Sequence, residues 1–565
     1  MPATAALYYR PEGFDTTGAR LLGRHSAGAG MLRGWVQHGA AHTLHCHTDT
    51  AQHFDDFRRR IAPYNRQGKA AAWVRPGDAA ALAQVGALHL PMPGLADAAW
   101  VRRHTGQRGY SVTGLVHTLC SKEVLASLGD LLTAPVQPWD ALICTSTAAR
   151  AVVERVLDDH AAFLESRVGA RPACPVRLPV IPLGVDSADF AARGRDPERR
   201  ARLRADLGLA DNDVAALFFG RLIFYAKAHP APMYLALERA AARVAAQGGR
   251  LWLLHVGWFE NEKERGAFLE APAAFCPSVR SVFLNGRVDR VAEDAWAAAD
   301  FFVSLPDNVQ ETFGLTPIEA MAAGLPVLGA DWDGYRDTVR HGQDGFLVPT
   351  CAPGPGGGLD LAAQYAADAL NYSTYVGHAA MATAVAVDAC AEYAGRLATD
   401  AGLRRAMGES GMARAREVFD WKVVVAAHEA LWAELAEARQ SAPETAPVPA
   451  NGPASSRLDD PFRAFAGYAT AELAPGDRLV AGPNAAPERL ALLRATWMTG
   501  FGAALRPVPE ALDQVVALAA RQGGATAAEA LSLLAPADAR QMATALRGLG
   551  WLLKFDVLRR GDIST

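Results

Sequence analysis

The chain has 565 residues, half of them apolar and about a fifth charged, which fits a well-packed globular protein of two or three domains. Its formal net charge of −4 supplies no overall drive toward nucleic acid. Seven scattered cysteines without a CxxC pair argue against a zinc ribbon or a disulfide framework, so a reducing, cytoplasmic setting is expected.

The N-terminal "MPATAALYYRPEGFD" lacks a basic-then-apolar signal pattern, and no apolar run reaches membrane-spanning length. Next comes "GRHSAGAGMLRG", which reads as a small-residue turn, with Gly28 and Gly30, leading into a helix that contains Trp35. Strand-length apolar runs then alternate with Ala-, Arg- and Glu-rich helical stretches. They are "HTLHCHT", "SVTGLVHTLC", "DALICTS" and "LPVIPLGVD", then "VAALFFGRL", "LWLLHVG", "SVFLNGRV", "DFFVSL" and "LPVLGAD". This alternation predicts α/β units with parallel sheets covered on both faces.

The two series divide near Asp186, across a charged helical connection. They predict two Rossmann-like domains facing across a cleft, 1–186 and 187–440, with ligands at the carboxyl ends of the strands. "TCAPGPGGGLD" after Pro349 reads as a hinge and "FDWKVVVAAHEALWAELAEAR" as a closing helix. Residues 441–457, rich in Pro, Ala and Ser, predict a flexible linker. Residues 458–565 then form a small helical accessory unit with a closing strand, winged-helix-like in outline.

Two patterns invite other readings. His42, His45, Cys46, His47 and His53 suggest a metal site, but on a strand they split between two faces, so none is assigned. The cluster Arg58, Arg59, Arg60, Arg66, Lys69 and Arg75 suggests an anionic membrane surface, yet Asp55 and Asp56 favour a solvated helix face.

Chemistry concentrates in "NVQETFGLTPIEAMAAGLPVLG", 308–329. Thr316, Pro317 and Glu319 match a capping box, predicting a helix start at Thr316 and a stop at Gly324. The free amides of that start, with those of Phe313, Gly314 and Leu315, suit a phosphate or diphosphate. Gly314, lacking a side chain, would let the phosphate reach the backbone. Glu311 lies in a loop at a strand's carboxyl end and has no capping duty. Arg221 and Lys227, placed after the first strand of the second series, offer a bidentate and a point cationic partner for the same anion.

Together these residues resemble retaining GT-B glycosyltransferases, specifically glycosyltransferase family 4. The family's Glu-x7-Glu element, followed by a helix and a G-x-P-V strand, matches "ETFGLTPIEAMAAGLPV"; "GRL…K", "IPLGVD" and "DGFLVP" fall in the family's order. Ala228 departs from the glycine usual after this lysine. The resemblance covers about residues 15–440.

It implies that Arg221 and Lys227 bind the donor diphosphate, that Glu311 contacts the transferred sugar and Glu319 the ribose, and that amides from Phe313 to Thr316 hold the phosphates. Gly28 and Gly30 would match the N-domain glycine loop, and His117 a histidine reaching the sugar from the N-domain; a satisfied histidine at a strand end is the plainer account of His117. The implied reaction moves a sugar from a nucleotide-diphosphate sugar to a hydroxyl acceptor of glycan, lipid-linked or protein type, retaining configuration. It needs no metal or cofactor, and either a same-face or a covalent route fits. A phosphorylase lacks its pyridoxal-phosphate lysine motif here. The alternative is a catalytically silent GT-B scaffold that binds a protein partner through 458–565. That unit is also a candidate for self-association, with no nucleic acid expected, and the protein would sit in the cytoplasm or peripherally at the inner face of the membrane.

Overall fold

A computed structural model describes residues 3–16, 23–449 and 452–561. Part of the expected linker, 450–451, therefore lies outside the described residues, as do 1–2, 17–22 and 562–565. The chain divides into two compact units, Met1–Ser455 and Ser456–Thr565.

The larger unit contains two six-stranded sheets, as the alternating runs require. The first is built from β1 (Ala6–Tyr8), β2 (Thr43–His47), β3 (Ala70–Val74), β4 (Ala87–Leu90), β5 (Ser111–Leu115) and β6 (Ala141–Ile143), in the order 3-2-1-4-5-6. The second contains β7 (Val214–Leu222), β8 (Leu251–Phe259), β9 (Arg280–Asn285), β10 (Phe301–Ser304), β11 (Val327–Ala330) and β12 (Gly345–Val348), in the order 12-11-10-7-8-9. All pairings within both sheets are parallel. Numbered from its own first strand, the second sheet has the same order as the first. Each is a doubly wound sheet whose strand order reverses at β1/β4 and at β7/β10, where open α/β sheets hold their ligands. The expected pair of Rossmann-like domains is present.

Both sheets are buried because their strands carry near-continuous apolar runs. Ala215, Ala216, Leu217, Phe301, Phe302 and Val303 are all fully buried. In the first domain, the buried Arg102–Asp140 pair (2.6 Å) adds polar fixation. Asp140 also accepts the amides of Val112 and Gln137, tying β5 to the loop before β6.

The closing helix, expected within the second domain, returns to the first. Trp421–Ser441 packs on the helix Gly23–His38, stacking Trp432 on Trp35 at 4.7 Å. Its first residue, Trp421, sits where a Cβ on Gly30, Gly34 or Gly184 would come within 2.9, 2.8 or 2.4 Å of the indole. The small-residue pattern around Gly30 makes room for that ring. Gly28 and Gly30 are therefore interior positions of a helix and not a turn before one, a correction to the sequence expectation. Gly28 is equally confined, its absent Cβ lying 2.8 Å from the carbonyl of Gly13.

The expected hinge after Pro349 includes a short antiparallel ribbon, β13 (Thr350–Cys351) with β14 (Ala384–Val385), which frames the helices Leu359–Ala366 and Tyr372–Met381.

The smaller unit combines the helices Pro509–Ala519, Ala527–Leu534 and Ala539–Lys554 with an antiparallel sheet, β15 (Arg478–Ala481) between β16 (Ala525–Thr526) and β17 (Leu558–Arg560). Leu479, Leu512, Val515, Leu549 and Leu552 form its core. Here a capping box does occur: Thr526 and Glu529 exchange hydrogen bonds at a helix start.

Candidate functional site

The switch point of the second sheet gathers most of the sequence-flagged side chains. β7 runs through Leu222, so Arg221 lies on the strand's last turn of pleat, not after it. Lys227 stands on the loop that follows. Its Nζ donates to Glu311 Oε2 at 2.6 Å, and the two side chains are 22% and 17% exposed. The loops beneath them are bound together: Asn308 donates to the carbonyl of Lys227 and Gln310 to that of Ala226, both at 2.8 Å.

Electrostatics separate the carboxyls. Burial pushes Glu311 up, but the charge and hydrogen bond of Lys227, with the amides of Phe313 and Thr312, outweigh it and hold the carboxyl below its ordinary value. Glu319 has no such partner; burial pushes it up to about 7, against the weaker pull of Arg193, Lys227 and Arg33. Asp333, after β11, is pushed up to about 8 by burial and by the charge of Glu311. One ionised and two protonatable carboxyls therefore surround one lysine at neutral pH.

The helix start differs from the expected capping box. The helix is Leu315–Ala322, its N-cap is Gly314, and no side chain caps it. Thr316 lies inside the first turn because Gly314, at φ +83°, bends the chain into the helix earlier than Thr316. Glu319 is thereby freed from capping. The stop is as expected: Gly324 (φ +86°) donates to Met321 and Leu325 to Ala320, a Schellman closure.

Gly314 serves packing as well as conformation. A Cβ there would lie 2.2 Å from the ring of Tyr335, which is fully buried and hydrogen-bonded to Ser304 at 3.0 Å. The side of Gly314 where a Cβ would stand is filled by that ring, and the neighbouring Phe313 amide is already turned to Glu311. Gly314→Ala combines a left-handed alanine with an overpacked ring and should cost about 2–5 kcal/mol. Chemical denaturation checks this, and an unchanged midpoint would refute the packing account.

The first domain meets this site through the loop after β5. His117 accepts at its carbonyl from the hydroxyl of Thr312. Thr118 donates to the carbonyl of Gln310 (3.2 Å), and Ser146 to that of Thr312 (2.7 Å). The His117 ring is lowered to about 4 by burial, partly offset by its hydrogen bond to Pro91, so it is neutral through the physiological range. Gly28 and Gly30 lie inside the helix Gly23–His38, whose Arg33 and Arg24 act electrostatically on Glu319 and His117, and the residues 17–22 before it are outside the described set.

Among the described residues no group of three His, Cys, Asp or Glu side chains is placed to hold a metal. The basic stretch 58–60 is paired with Asp55 and Asp56, and Lys69 is buried beside Trp35 and Gly39. Sequence reasoning overlooked Asp333, Tyr335, Thr312 and Ser146. Only Asp333 carried a usable signal, its place just beyond the carboxyl end of a predicted parallel strand.

Two doubly wound domains, with a lysine–glutamate pair at the second switch point and contacts across to the first domain, define the GT-B architecture. Residues 214–354 match the family model for glycosyl transferases group 1. It is 35% identical over 176 residues to a D-inositol 3-phosphate glycosyltransferase of Nocardia farcinica, covering 30% of this chain and 36% of that one. A protein of the same name from Rhodococcus erythropolis is 32% identical over 200 residues, 34% and 40% of the two chains. The chain thus spans well under half the length of these curated relatives. Among solved structures, Anabaena Alr3699/HepE with UDP-glucose aligns at 17% identity and TM-score 0.45, over 77% of this chain and 99% of that one. A glycosyltransferase from Rickettsia africae aligns at 13% and 0.48, over 76% and 98%.

Proposed function

We propose that the chain transfers a sugar from a nucleotide-diphosphate sugar to a hydroxyl acceptor (glycan, lipid-linked or protein) with retention of configuration. The observation that carries this is the Lys227–Glu311 pair at the β7/β10 switch point, beside the unpartnered Glu319 and an amide-rich helix start. The named relatives, glycosyltransferases, support it.

In this reading Arg221 and Lys227 hold the diphosphate, with the amides from Phe313 to Thr316. Their positive charge stabilises the leaving group as the anomeric C–O bond breaks. Glu311, released in part from Lys227 when the diphosphate arrives, accepts a hydroxyl of the sugar; Glu319 accepts the ribose hydroxyls. Neutral His117 approaches the sugar from the first domain. The acceptor oxygen bonds to the anomeric carbon on the face the phosphate leaves, and its proton passes to a phosphate oxygen. This assignment places all charge stabilisation on Arg221, Lys227 and the helix start. Gly28 and Gly30 keep at most a backbone role in this scheme, since both are packed inside a helix.

No helix among the described residues is long and apolar enough to cross a membrane. We place the protein in the cytoplasm or peripherally at its membrane face. We assign partner or self-association contacts to the C-terminal unit, where Trp497, Met498 and Phe501 are 81%, 77% and 77% exposed.

Thermal-shift and calorimetric titration with UDP, GDP, ADP and their common sugars tests the reading. One nucleotide series should stabilise the wild type and fail to stabilise Arg221→Ala/Lys227→Ala. Absence of binding by every nucleotide would overturn it in favour of a silent scaffold.

A further inference from the structure

We propose that Asp333 is a second sugar-reading carboxyl, meeting the hydroxyl next to the one Glu311 takes and so selecting which hexose the donor carries. This rests on the donor-site reading above and adds to it a residue that the two-glutamate element does not contain.

Position comes first. Asp333 follows β11, the neighbour of β10, whose following loop carries Glu311. A Cβ on Gly334 would lie 2.5 Å from both the Cα of Phe313 and the carbonyl of Thr312, so the two loops are in direct contact. The indole of Trp332 donates to the carbonyl of Asn308 at 2.9 Å and fixes that juxtaposition.

Backbone and side chain then point the same way. Asp333 has φ +35°, a left-handed conformation that a non-glycine residue holds only at a cost. One carboxyl oxygen accepts the amide of Gly334; the other, Oδ2, is buried with no hydrogen-bond partner. A strained residue that presents an unsatisfied buried oxygen beside Glu311 has the features of a group completed by a ligand. Its chemistry complements that of Glu311. Burial and the neighbouring Glu311 charge favour the protonated Asp333, against the pull of Lys227, whereas Lys227 keeps Glu311 ionised. One carboxyl donates and the other accepts, and that combination distinguishes two adjacent hydroxyls in a way neither could alone.

Two variants test this in the full chain. Asp333→Asn keeps the shape and tolerates a left-handed backbone, and Asp333→Gly removes the strain together with the side chain. Calorimetric titration would use UDP, GDP and ADP, then UDP-glucose, UDP-galactose, GDP-mannose and ADP-glucose. Both variants should bind the preferred nucleoside diphosphate within about twofold of wild type, while Asp333→Gly binds the matching nucleotide sugar at least about tenfold more weakly. Asp333→Asn, which retains a donor, should lose less affinity and discriminate poorly between epimeric sugars. Wild-type affinity and discrimination in both variants would overturn the proposal, as would equal loss of diphosphate and sugar binding, which would make Asp333 a prop for its loop. A wild type that binds no nucleotide at all would instead remove the donor-site reading on which the proposal stands.

Discussion

Lys227→Ala should lower kcat/KM by about 10²–10³-fold with whichever donor the protein accepts, the scale seen when one preorganised electrostatic partner of a leaving group is lost. The lysine works twice. In the free protein it holds Glu311 ionised at 2.6 Å, and with donor bound it neutralises the departing diphosphate. Its loss therefore removes leaving-group stabilisation and lets burial raise the Glu311 carboxyl toward its neutral form. The same substitution leaves a mostly buried carboxylate unpaired, which should destabilise the fold by about 2–3 kcal/mol, short of the full buried-pair penalty because both side chains retain some exposure. Adding Glu311→Gln to Lys227→Ala should recover that stability without recovering activity. Steady-state kinetics and denaturant unfolding of the two single variants and the double variant check both parts. A Lys227→Ala protein with near-wild-type turnover would exclude the lysine from the chemistry.

The double role explains why the pair was readable from sequence and why its surroundings were not. Alternating apolar runs, each short enough for a strand, placed β7 and β10 and so placed Arg221, Lys227 and Glu311 at their carboxyl ends. Those are local patterns with a fixed period. The capping box at Thr316 was a local pattern too, but the fold overrode it. Tyr335, on a later segment, occupies the space beside Gly314, and the left-handed glycine starts the helix earlier. The turn expected at Gly28 and Gly30 failed for the same reason: the smallness of Gly30 answers to Trp421, near the other end of the unit, and that of Gly28 to the carbonyl of Gly13. Small residues signal close approach, but not what approaches. Asp333 sat in an ordinary-looking Asp-Gly turn, and nothing local to it records that one of its oxygens would be buried without a partner.

Glu319→Gln should strengthen the unliganded fold at high pH and weaken nucleotide binding at the same time. Burial raises the Glu319 carboxyl from an ordinary 4.5 to about 7, so the folded protein favours the neutral form more than the unfolded chain does. For an acid raised on folding, the native state holds more protons than the unfolded state between those two values. Stability therefore falls as pH rises from about 4.5 to 7 and levels off above. Glutamine is neutral throughout and escapes that loss. At pH 8 the variant should be more stable by on the order of 2–3 kcal/mol, an advantage that vanishes by pH 4.5. Function demands the opposite. An ionised Glu319 accepting ribose hydroxyls makes charge-assisted hydrogen bonds, and an amide in its place should cost about 10- to 100-fold in nucleotide affinity at pH 8. Unfolding curves at pH 4.5 and 8, with nucleotide titrations at pH 8, test both signs. A Glu319 present only to support its helix predicts a less stable variant with unaltered nucleotide affinity. A gain in stability bound to a loss of affinity would mark a carboxylate kept buried against the stability of the fold because the ligand requires it.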